Sequence, residues 1–435
     1  MAALSSIGFL AALVVLGIAP AAAQEMPPQR TLGELKEEAQ ARADRNGYPL
    51  IGLKPDEVRE ALGRLKSLDR DEWAASWSVV GERYRRKAES ELASAPAEAD
   101  KDFMQAWRYY SFARWPVPNS AGKQQAYRKA LDAFLAHGKL LDPPLEVLRI
   151  PFEGKEIVAY RQMPKTAAPA PVVVAICGLD SRKEDMAERF QPMLAHGVGY
   201  VAVDMPGTGE APIKIAPGAE RMLSHLFDAV IALPETDKSR IAVYGGSFGG
   251  YWSTILAATE RARIKAVVAQ SPPIDETFSA AALEKAMGNR EYLFDYIPAY
   301  MSVYADVATL DDLRAARAKA SLKAQGIIGR PMAPMLVIGG VKDTQVPIAD
   351  IDLLLHSGDT PKEAWINPAG GHMGREAKGW TDPAIFKRVT MPWLLRALEV
   401  RVSAAFCPSR ISANCSSRLV GLGMPVLASR PRRAL

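Results

Sequence analysis

A single serine, Ser247, lies in a glycine-rich G-x-S-x-G turn at residues 245–249. The β-branched and aromatic run at 240–244 predicts a strand before the turn, and residues 249–260 predict a helix after it. On a sharp turn from strand to helix, the serine Oγ is held clear of the sheet at the positive end of the helix. Small neighbours leave the room that such a turn needs. The context predicts that Ser247 is a nucleophile rather than an incidental turn residue.

A serine hydroxyl needs an adjacent base, and the base needs a carboxylate to orient it. One known chain order of these groups is serine, acid, histidine. Only two of the five histidines, His356 and His372, follow Ser247. His356 falls inside a predicted helix, whereas His372 lies in a glycine-rich loop after a predicted strand at 363–367. We therefore expect His372 to be the base.

The acid is expected in the loop after a buried strand. Asp343 follows the predicted strand 332–339 and precedes His372 by 29 residues. A turn residue or a helix N-cap is the alternative role for Asp343. Asp350 and Asp352 are rival acids, but both lie within the next predicted helix. The order therefore favours Asp343 as the carboxylate that orients His372.

A developing oxyanion needs N–H donors that are already in place. The amide of Phe248, at the start of the helix after Ser247, is one expected donor. The second is expected from the turn after the apolar strand 171–177. We assign it to the amide of Leu179, with Gly178 allowing the close approach of the two chain segments.

Residues 30–140 show helical spacing of apolar side chains and predict about five helices, whose aromatic stripes indicate a core. From 145 to 400, strands alternate with helices, which predicts a mostly parallel sheet with ligands at the carboxyl ends of its strands. The alternation stops at about 271–330. This helical insertion is expected either to supply walls of a substrate pocket or to be a long surface excursion.

Composition indicates a globular protein, with 48% hydrophobic and 24% charged residues among 435. The net charge of +5 comes from residues 401–435, which hold six arginines and no acidic residue. This Ser-, Pro- and Arg-rich tail is predicted to be disordered. The remainder is close to neutral, which argues against a nucleic-acid partner.

Residues 1–23 contain a short apolar stretch at 7–18 followed by alanines, which predicts a secretory signal cleaved near Ala23; an uncleaved anchor is the alternative. We therefore expect a periplasmic or secreted protein, without stable membrane insertion after cleavage. Cys177 is expected to be a buried free thiol, while Cys407 and Cys415 could pair. No spacing of His and Cys suggests a metal site, and no cofactor is expected.

Taken together, these motifs resemble an α/β-hydrolase of the FrsA-like esterase group. The chain is also similar to the 2,6-dihydroxypseudooxynicotine hydrolase type, which cleaves carbon–carbon bonds. The resemblance covers about residues 30–400. It depends on the segments 178–184 (GLDSRKE), 204–209 (DMPGTG) and 245–251 (GGSFGGY), and on the loops of Asp343 and His372.

The resemblance implies an α/β-hydrolase domain at 145–400 and a helical N-terminal domain at 30–140 that caps the site and could support a homodimer. It also implies an extra carboxylate near the serine if carbon–carbon bonds are cleaved, for which Glu276 is a candidate substrate-binding residue. We expect a serine hydrolase acting on small-molecule carboxylic esters through an acyl-enzyme. The alternatives are a carbon–carbon hydrolase acting on β-diketone-like substrates with the same triad, and a non-catalytic binding protein of the same fold.

Overall fold

The structure, a computed structural model, describes residues 30–376 and 379–400. The predicted signal peptide, the tail at 401–435 and the pair Cys407 and Cys415 lie outside the described residues and stay predictions. Cys177 is a buried free thiol, as expected. Among the helices of the described part, none has the length and apolar character required to cross a membrane.

Five helices precede the sheet, in agreement with the number expected: α1 (Leu32–Asp44), α2 (Pro55–Arg64), α3 (Arg70–Glu91), α4 (Pro96–Ala113) and α5 (Ala121–Leu140). The predicted capping box is present, since the Thr31 side chain accepts from the Glu34 N–H and the Glu34 side chain accepts from the Thr31 N–H. Helix α4 begins six residues before the expected position 102. Pro96 at its first position has the φ of a helix and no N–H to leave unpaired, so the helix can start there.

Eight strands form one sheet: β1 (Glu146–Phe152), β2 (Lys155–Gln162), β3 (Ala170–Ile176), β4 (Gly199–Val203), β5 (Thr236–Gly246), β6 (Ala266–Gln270), β7 (Met335–Gly340) and β8 (Lys362–Asn367). Their order is β1-β2-β4-β3-β5-β6-β7-β8. The pairs β1–β2 and β2–β4 are antiparallel, and all later neighbours are parallel. The carboxyl ends of β3, β5, β7 and β8 therefore meet at one edge, which is where parallel sheets of this kind bind ligands.

The helices of this second part are α6 (Lys183–Phe190), α7 (Arg221–Ala232), α8 (Phe248–Thr259), α9 (Ala280–Met287), α10 (Tyr296–Val303), α11 (Leu310–Ala320), α12 (Ile348–Leu355), α13 (Asp382–Ile385) and α14 (Met391–Ala397). The helix expected at 385–400 is instead α13, a π-helical turn at Phe386–Thr390 and α14. The widened turn ends just before Pro392, which has no N–H to donate to a regular helix. The insertion is helical as predicted, with α9, α10 and α11.

One hydrophobic core extends from the N-terminal helices through the sheet. Every residue of β3, β4, β6 and β7 is buried, as expected for strands covered on both faces. Trp77 of α3 and Trp252 of α8 are among the largest side chains in this core. Burying a large apolar side chain contributes about 1.5–3 kcal/mol, so this shared core binds the two parts of the chain together.

Polar contacts also join the insertion to the N-terminal helices. Asp295 accepts hydrogen bonds from Arg70 Nε and Nη2 at 2.7 and 2.9 Å, and Lys123 Nζ lies 3.4 Å from the same carboxylate. The buried Arg30 donates to the carbonyls of Tyr292 and Leu293. Three separate positions in the N-terminal part, Arg30, Arg70 and Lys123, therefore hold residues 292–295 in place.

A buried carboxylate from α12 fixes the start of the insertion. Asp350 accepts the backbone N–H groups of all four residues from Ile274 to Thr277, at 2.7–3.2 Å, and the Thr277 hydroxyl at 2.6 Å. Four consecutive donors on one buried carboxylate form a strong anchor, because leaving such donors unpaired is costly. Asp350, a rival for the acid of the site, is thus a structural residue that anchors the insertion.

We predict that Asp350→Ala lowers the free energy of unfolding by at least about 3 kcal/mol, since several buried donors lose their acceptor together. Urea denaturation measures the change. Asp352→Ala is the matched control on the same helix, because Asp352 is exposed; its effect should stay within about 0.5 kcal/mol. Equal stabilities of the two variants would contradict this anchoring role.

Candidate active site

Ser247 connects β5 to α8 in a backbone conformation that is rare for a residue with a side chain, with φ 54° and ψ −124°. Its N–H donates to the Gln270 carbonyl at 2.8 Å. A Cβ on Gly245 would lie 2.0 Å from the Gly249 carbonyl oxygen, so the turn requires glycine there. The strand, the strained turn and the helix stand where the sequence predicts them.

His372 and Asp343 meet Ser247 at the carboxyl edge of the sheet. The His372 Nε2 lies 2.9 Å from Ser247 Oγ, and its Nδ1 lies 2.9 and 3.1 Å from the two carboxylate oxygens of Asp343. The Asp343 side chain is buried, and its Oδ1 also accepts the N–H groups of Gln345 and Val346 at 2.9 Å. The three side chains are therefore within hydrogen-bonding reach, in the order hydroxyl, imidazole, carboxylate.

The charges of His372 and Asp343 stabilise each other. Burial opposes the imidazolium, but the charge of Asp343 and its hydrogen bond outweigh burial and raise the pKa of His372. Burial also opposes the Asp343 carboxylate, but His372 and the two backbone donors outweigh it and lower the pKa of Asp343. Asp343 is therefore ionised at neutral pH and favours a proton on the imidazole.

The loop that carries His372 is held by residues at the end of β6. Met373, with φ 65°, donates its N–H to Ser271 Oγ at 3.0 Å, and its carbonyl accepts from Gln270 Nε2 at 2.8 Å. Tyr244 Oη in turn donates to Gln270 Oε1 at 2.8 Å. These contacts tie the imidazole loop to the strands that flank the serine.

The turn after β3 lies against Ser247. A Cβ on Gly178 would be 3.0 Å from the Gly246 carbonyl oxygen and 3.5 Å from Ser247 Cβ, so glycine permits this approach, as expected. The Gly178 N–H donates to Ser181 Oγ at 2.8 Å. Among the described residues, nothing accepts from the N–H groups of Leu179 or Phe248. These two amides are therefore available to a bound oxygen.

Two buried arginines hold this turn by its backbone. Arg182 Nη1 donates to the Leu179 carbonyl at 3.1 Å, and Arg114 Nη1 donates to the Asp180 carbonyl at 2.6 Å. Both side chains are at most 2% exposed. Sequence reasoning quoted Arg182 only as part of a motif and did not single out Arg114. The short spacing of Arg182 from Leu179 was the available signal, whereas the contact of Arg114 spans 66 residues.

The Asp180 carboxylate lies near side chains from three other parts of the chain. Trp115 Nε1 donates to it at 3.1 Å, and its charge acts on the hydroxyls of Tyr48 and Tyr292. Burial and the nearby Asp180 charge raise the pKa of both tyrosines, so both hydroxyls remain protonated. The N-terminal helical segment and the insertion therefore meet at the turn beside Leu179.

A cavity of about 270 Å³ opens over Ser247 and His372. Tyr48 and Trp115 from the N-terminal part and Glu291 from the insertion are among its lining residues. Sequence reasoning did not single out Glu291, which accepts from Thr344 Oγ1 at 2.7 Å. The insertion thus supplies part of the wall of this cavity, and a role in binding a substrate stays a prediction.

Two candidates from the sequence lie elsewhere. A second, smaller space of about 20 Å³ also borders Ser247. The side chain of Glu276 is exposed and lines neither the cavity nor this smaller space, so the structure does not bring it to the site. The reason is that the Glu276 N–H is bound by Asp350, within the anchored turn. His356 ends α12, is exposed, and contacts the Asp352 carbonyl. In the described part of the chain, no cluster of three or more His, Cys, Asp or Glu residues could hold a metal.

Solved structures share this architecture. The crystal structure of the 2,6-dihydroxy-pseudo-oxynicotine hydrolase aligns with 82% of this chain, and the alignment includes 95% of the hydrolase chain. The TM-score is 0.67 and the sequence identity is 21%. The structure of AbyA5 aligns with 85% of this chain and 95% of its own chain, with a TM-score of 0.65 and 22% sequence identity. Together with the eight-stranded, mostly parallel sheet, these likenesses define the fold as that of the α/β-hydrolases.

Sequence comparisons show the family to which this chain belongs. The model described as "Esterase FrsA-like" matches residues 62–367, more than half of the chain. Esterase FrsA of Vibrio vulnificus is 28% identical over 283 residues, which are 64% of this chain and 66% of that protein. Esterase FrsA of Vibrio cholerae is 28% identical over 324 residues, 70% of this chain and 76% of that protein. The chain belongs to the FrsA-like esterase family, and it spans slightly less than two thirds of the length of the Vibrio vulnificus relative.

The coupling of His372 to Asp343 can be measured by NMR titration of the imidazole. We predict a midpoint above the usual value of about 6.5, because the carboxylate stabilises the imidazolium that forms as the pH falls. In Asp343→Asn the amide carries no charge, so the midpoint should move to lower pH. Asp352→Asn, which alters an exposed carboxylate away from the imidazole, should leave it in place. An unchanged or higher midpoint in Asp343→Asn would rule out this coupling.

Proposed function

We propose that the protein hydrolyses carboxylic esters by nucleophilic catalysis at Ser247. The observation that carries the proposal is the 2.9 Å contact of Ser247 Oγ with an imidazole whose other nitrogen lies 2.9 Å from the buried Asp343. His372 Nε2 takes the hydroxyl proton as Oγ bonds to the ester carbonyl carbon. Asp343 holds the tautomer that places the accepting nitrogen towards Ser247 and stabilises the imidazolium.

The tetrahedral intermediate has an oxyanion that needs donors. The free N–H groups of Leu179 and Phe248 flank Ser247, and the start of α8 adds a positive dipole end. The intermediate collapses by breaking the bond to the alcohol oxygen, which receives the proton from His372. Water then attacks the acyl-enzyme with His372 again as base, releasing the acid and the free hydroxyl of Ser247.

The buried side chains around this centre explain why the site needs little rearrangement. His372 is 5% exposed, and its loop is tied to Gln270 and Ser271. Arg182 and Arg114 hold the carbonyls of Leu179 and Asp180, in the two peptide groups that follow the Leu179 N–H, and so restrict movement of the turn that carries this donor. Donors that are fixed before the reaction stabilise developing charge without a reorganisation cost. The geometry favours acyl transfer over a purely binding role.

The test compares p-nitrophenyl esters with aromatic β-diketones as substrates. Ser247→Ala should lower kcat/KM for the esters by at least about 10⁴-fold, because the nucleophile is lost while the donors remain. Ser253→Ala is the matched control: Ser253 lies on α8, its hydroxyl bonds to the Gly250 carbonyl, and it lines neither space beside Ser247. It should retain wild-type turnover.

Two results would overturn the proposal. Ester hydrolysis that persists in Ser247→Ala would show that Ser247 is not the nucleophile. Strong turnover of β-diketones with negligible turnover of esters would make the protein a carbon–carbon hydrolase with the same three residues.

A further inference from the structure

Ser247 borders two spaces of very different size. The cavity of about 270 Å³ is lined by His372 and by polar side chains. A recess of about 20 Å³ lies beside Leu179 and Phe248, with walls of Thr277, Tyr296, Tyr300 and Val346. His372 is not among the residues that line the recess. The nucleophile thus separates a roomy space with charged side chains in its walls, on the side of the base, from a small one whose walls hold no charged side chain, on the side of the free amides.

The proposed reaction, on which this inference depends, assigns a substituent to each space. In the tetrahedral intermediate the carbon carries Ser247 Oγ, the oxyanion, the leaving oxygen and the acyl chain. The leaving oxygen must lie near His372 to receive its proton, and His372 lines the large cavity. The oxyanion lies against the amides of Leu179 and Phe248. The acyl chain is left with the recess.

We propose that the recess is the acyl-binding site and limits the substrates to esters of acyl groups no larger than acetyl or propionyl, with the alcohol in the large cavity. A bound water needs roughly 10–15 Å³ on this measure of volume. At about 20 Å³, the recess therefore has room for one or two carbon atoms beyond the carbonyl. A longer chain would have to displace the aromatic walls.

Those walls are held firmly. The Tyr300 ring stacks on Phe248, with centroids 5.5 Å apart, and the Arg317 guanidinium lies 4.8 Å from the Tyr300 centroid. Arg317 is 2% exposed and donates to the Thr277 carbonyl. The Thr277 hydroxyl is bound to Asp350 at 2.6 Å. A cation over a buried ring and a hydrogen-bonded wall resist opening, so the recess excludes longer chains instead of adapting to them.

Another wall residue, Val346, comes from a different segment of the chain. Val346 is 3% exposed, and its N–H is bound to Asp343 through the backbone alone. Shortening Val346 to alanine therefore enlarges the recess without removing a contact of the catalytic carboxylate. Tyr300 and Val346 are thus two specificity-determining residues on two separate segments.

The experiment measures kcat/KM for p-nitrophenyl acetate, propionate, butyrate and hexanoate, so that the alcohol stays constant. In the wild-type protein kcat/KM should fall by at least about tenfold from propionate to butyrate. This is the usual lower limit of the loss in kcat/KM when a substrate has one methylene more than the pocket can hold. Tyr300→Ala and Val346→Ala should each reduce this fall and extend turnover to longer chains. Val346→Ala keeps the test decisive if Tyr300→Ala does not fold.

Tyr84→Ala is the matched control. It makes the same side-chain truncation on α3, where Tyr84 stacks on Tyr109 outside both spaces beside Ser247, and it should keep the wild-type chain-length profile. A wild-type preference for butyrate or hexanoate, or an unchanged profile in the folded recess variants, overturns the inference while ester hydrolysis stands. Absence of turnover for every ester overturns the proposed function itself, and the acyl site with it.

Discussion

The strained turn at Ser247 is the constraint around which the site is arranged. A residue with a side chain at positive φ costs on the order of 1–3 kcal/mol, and such a conformation persists only where the surroundings impose it. Here the Ser247 N–H is held by the Gln270 carbonyl of the next strand, and the Ser247 carbonyl accepts from Gly250 at 2.8 Å. Gly245 and Gly178 leave the space that the turn and the loop after β3 require. The strain is balanced by the sheet, and it places Oγ where the imidazole can reach it.

The groups that act with Ser247 are fixed by distant parts of the chain. Arg114, which follows α4, binds the Asp180 carbonyl in the turn that contains Leu179, and Trp115, Tyr48 and Tyr292 lie near the Asp180 carboxylate. The N-terminal helices therefore do more than cover the sheet: they hold the backbone that flanks an expected oxyanion donor. Loss of the contact between Arg114 and the Asp180 carbonyl would therefore lower the rate of the reaction, although Arg114 contacts no reacting atom.

Local sequence patterns predicted the nucleophile turn, the order of the strands with their helices, and the loops of Asp343 and His372. Each of these depends on neighbours within about ten residues, such as apolar periodicity and glycines after a strand. The choice of His372 over His356 followed from the same reasoning, because one follows a strand and the other ends a helix.

Contacts between segments far apart in the chain could not be predicted in this way. Asp350 was a rival acid in the sequence, yet it binds four amides that lie more than 70 residues earlier. Glu276 was a candidate for an extra carboxylate at the site, but that anchored turn keeps it outside, while Glu291 lines the cavity. The pairing of Asp295 with Arg70 and Lys123 likewise joins residues with no common pattern. A single sequence shows that such groups exist but not which of them become neighbours.

The most direct test of the central claim is to react the protein with a fluorophosphonate and to map the modified residue by mass spectrometry. The arrangement of Ser247, His372 and Asp343 predicts one phosphonylated side chain, Ser247, and a large loss of labelling rate in His372→Ala, because the hydroxyl then lacks its base. Labelling at another residue, or a rate at Ser247 that does not change when His372 is removed, would contradict the account.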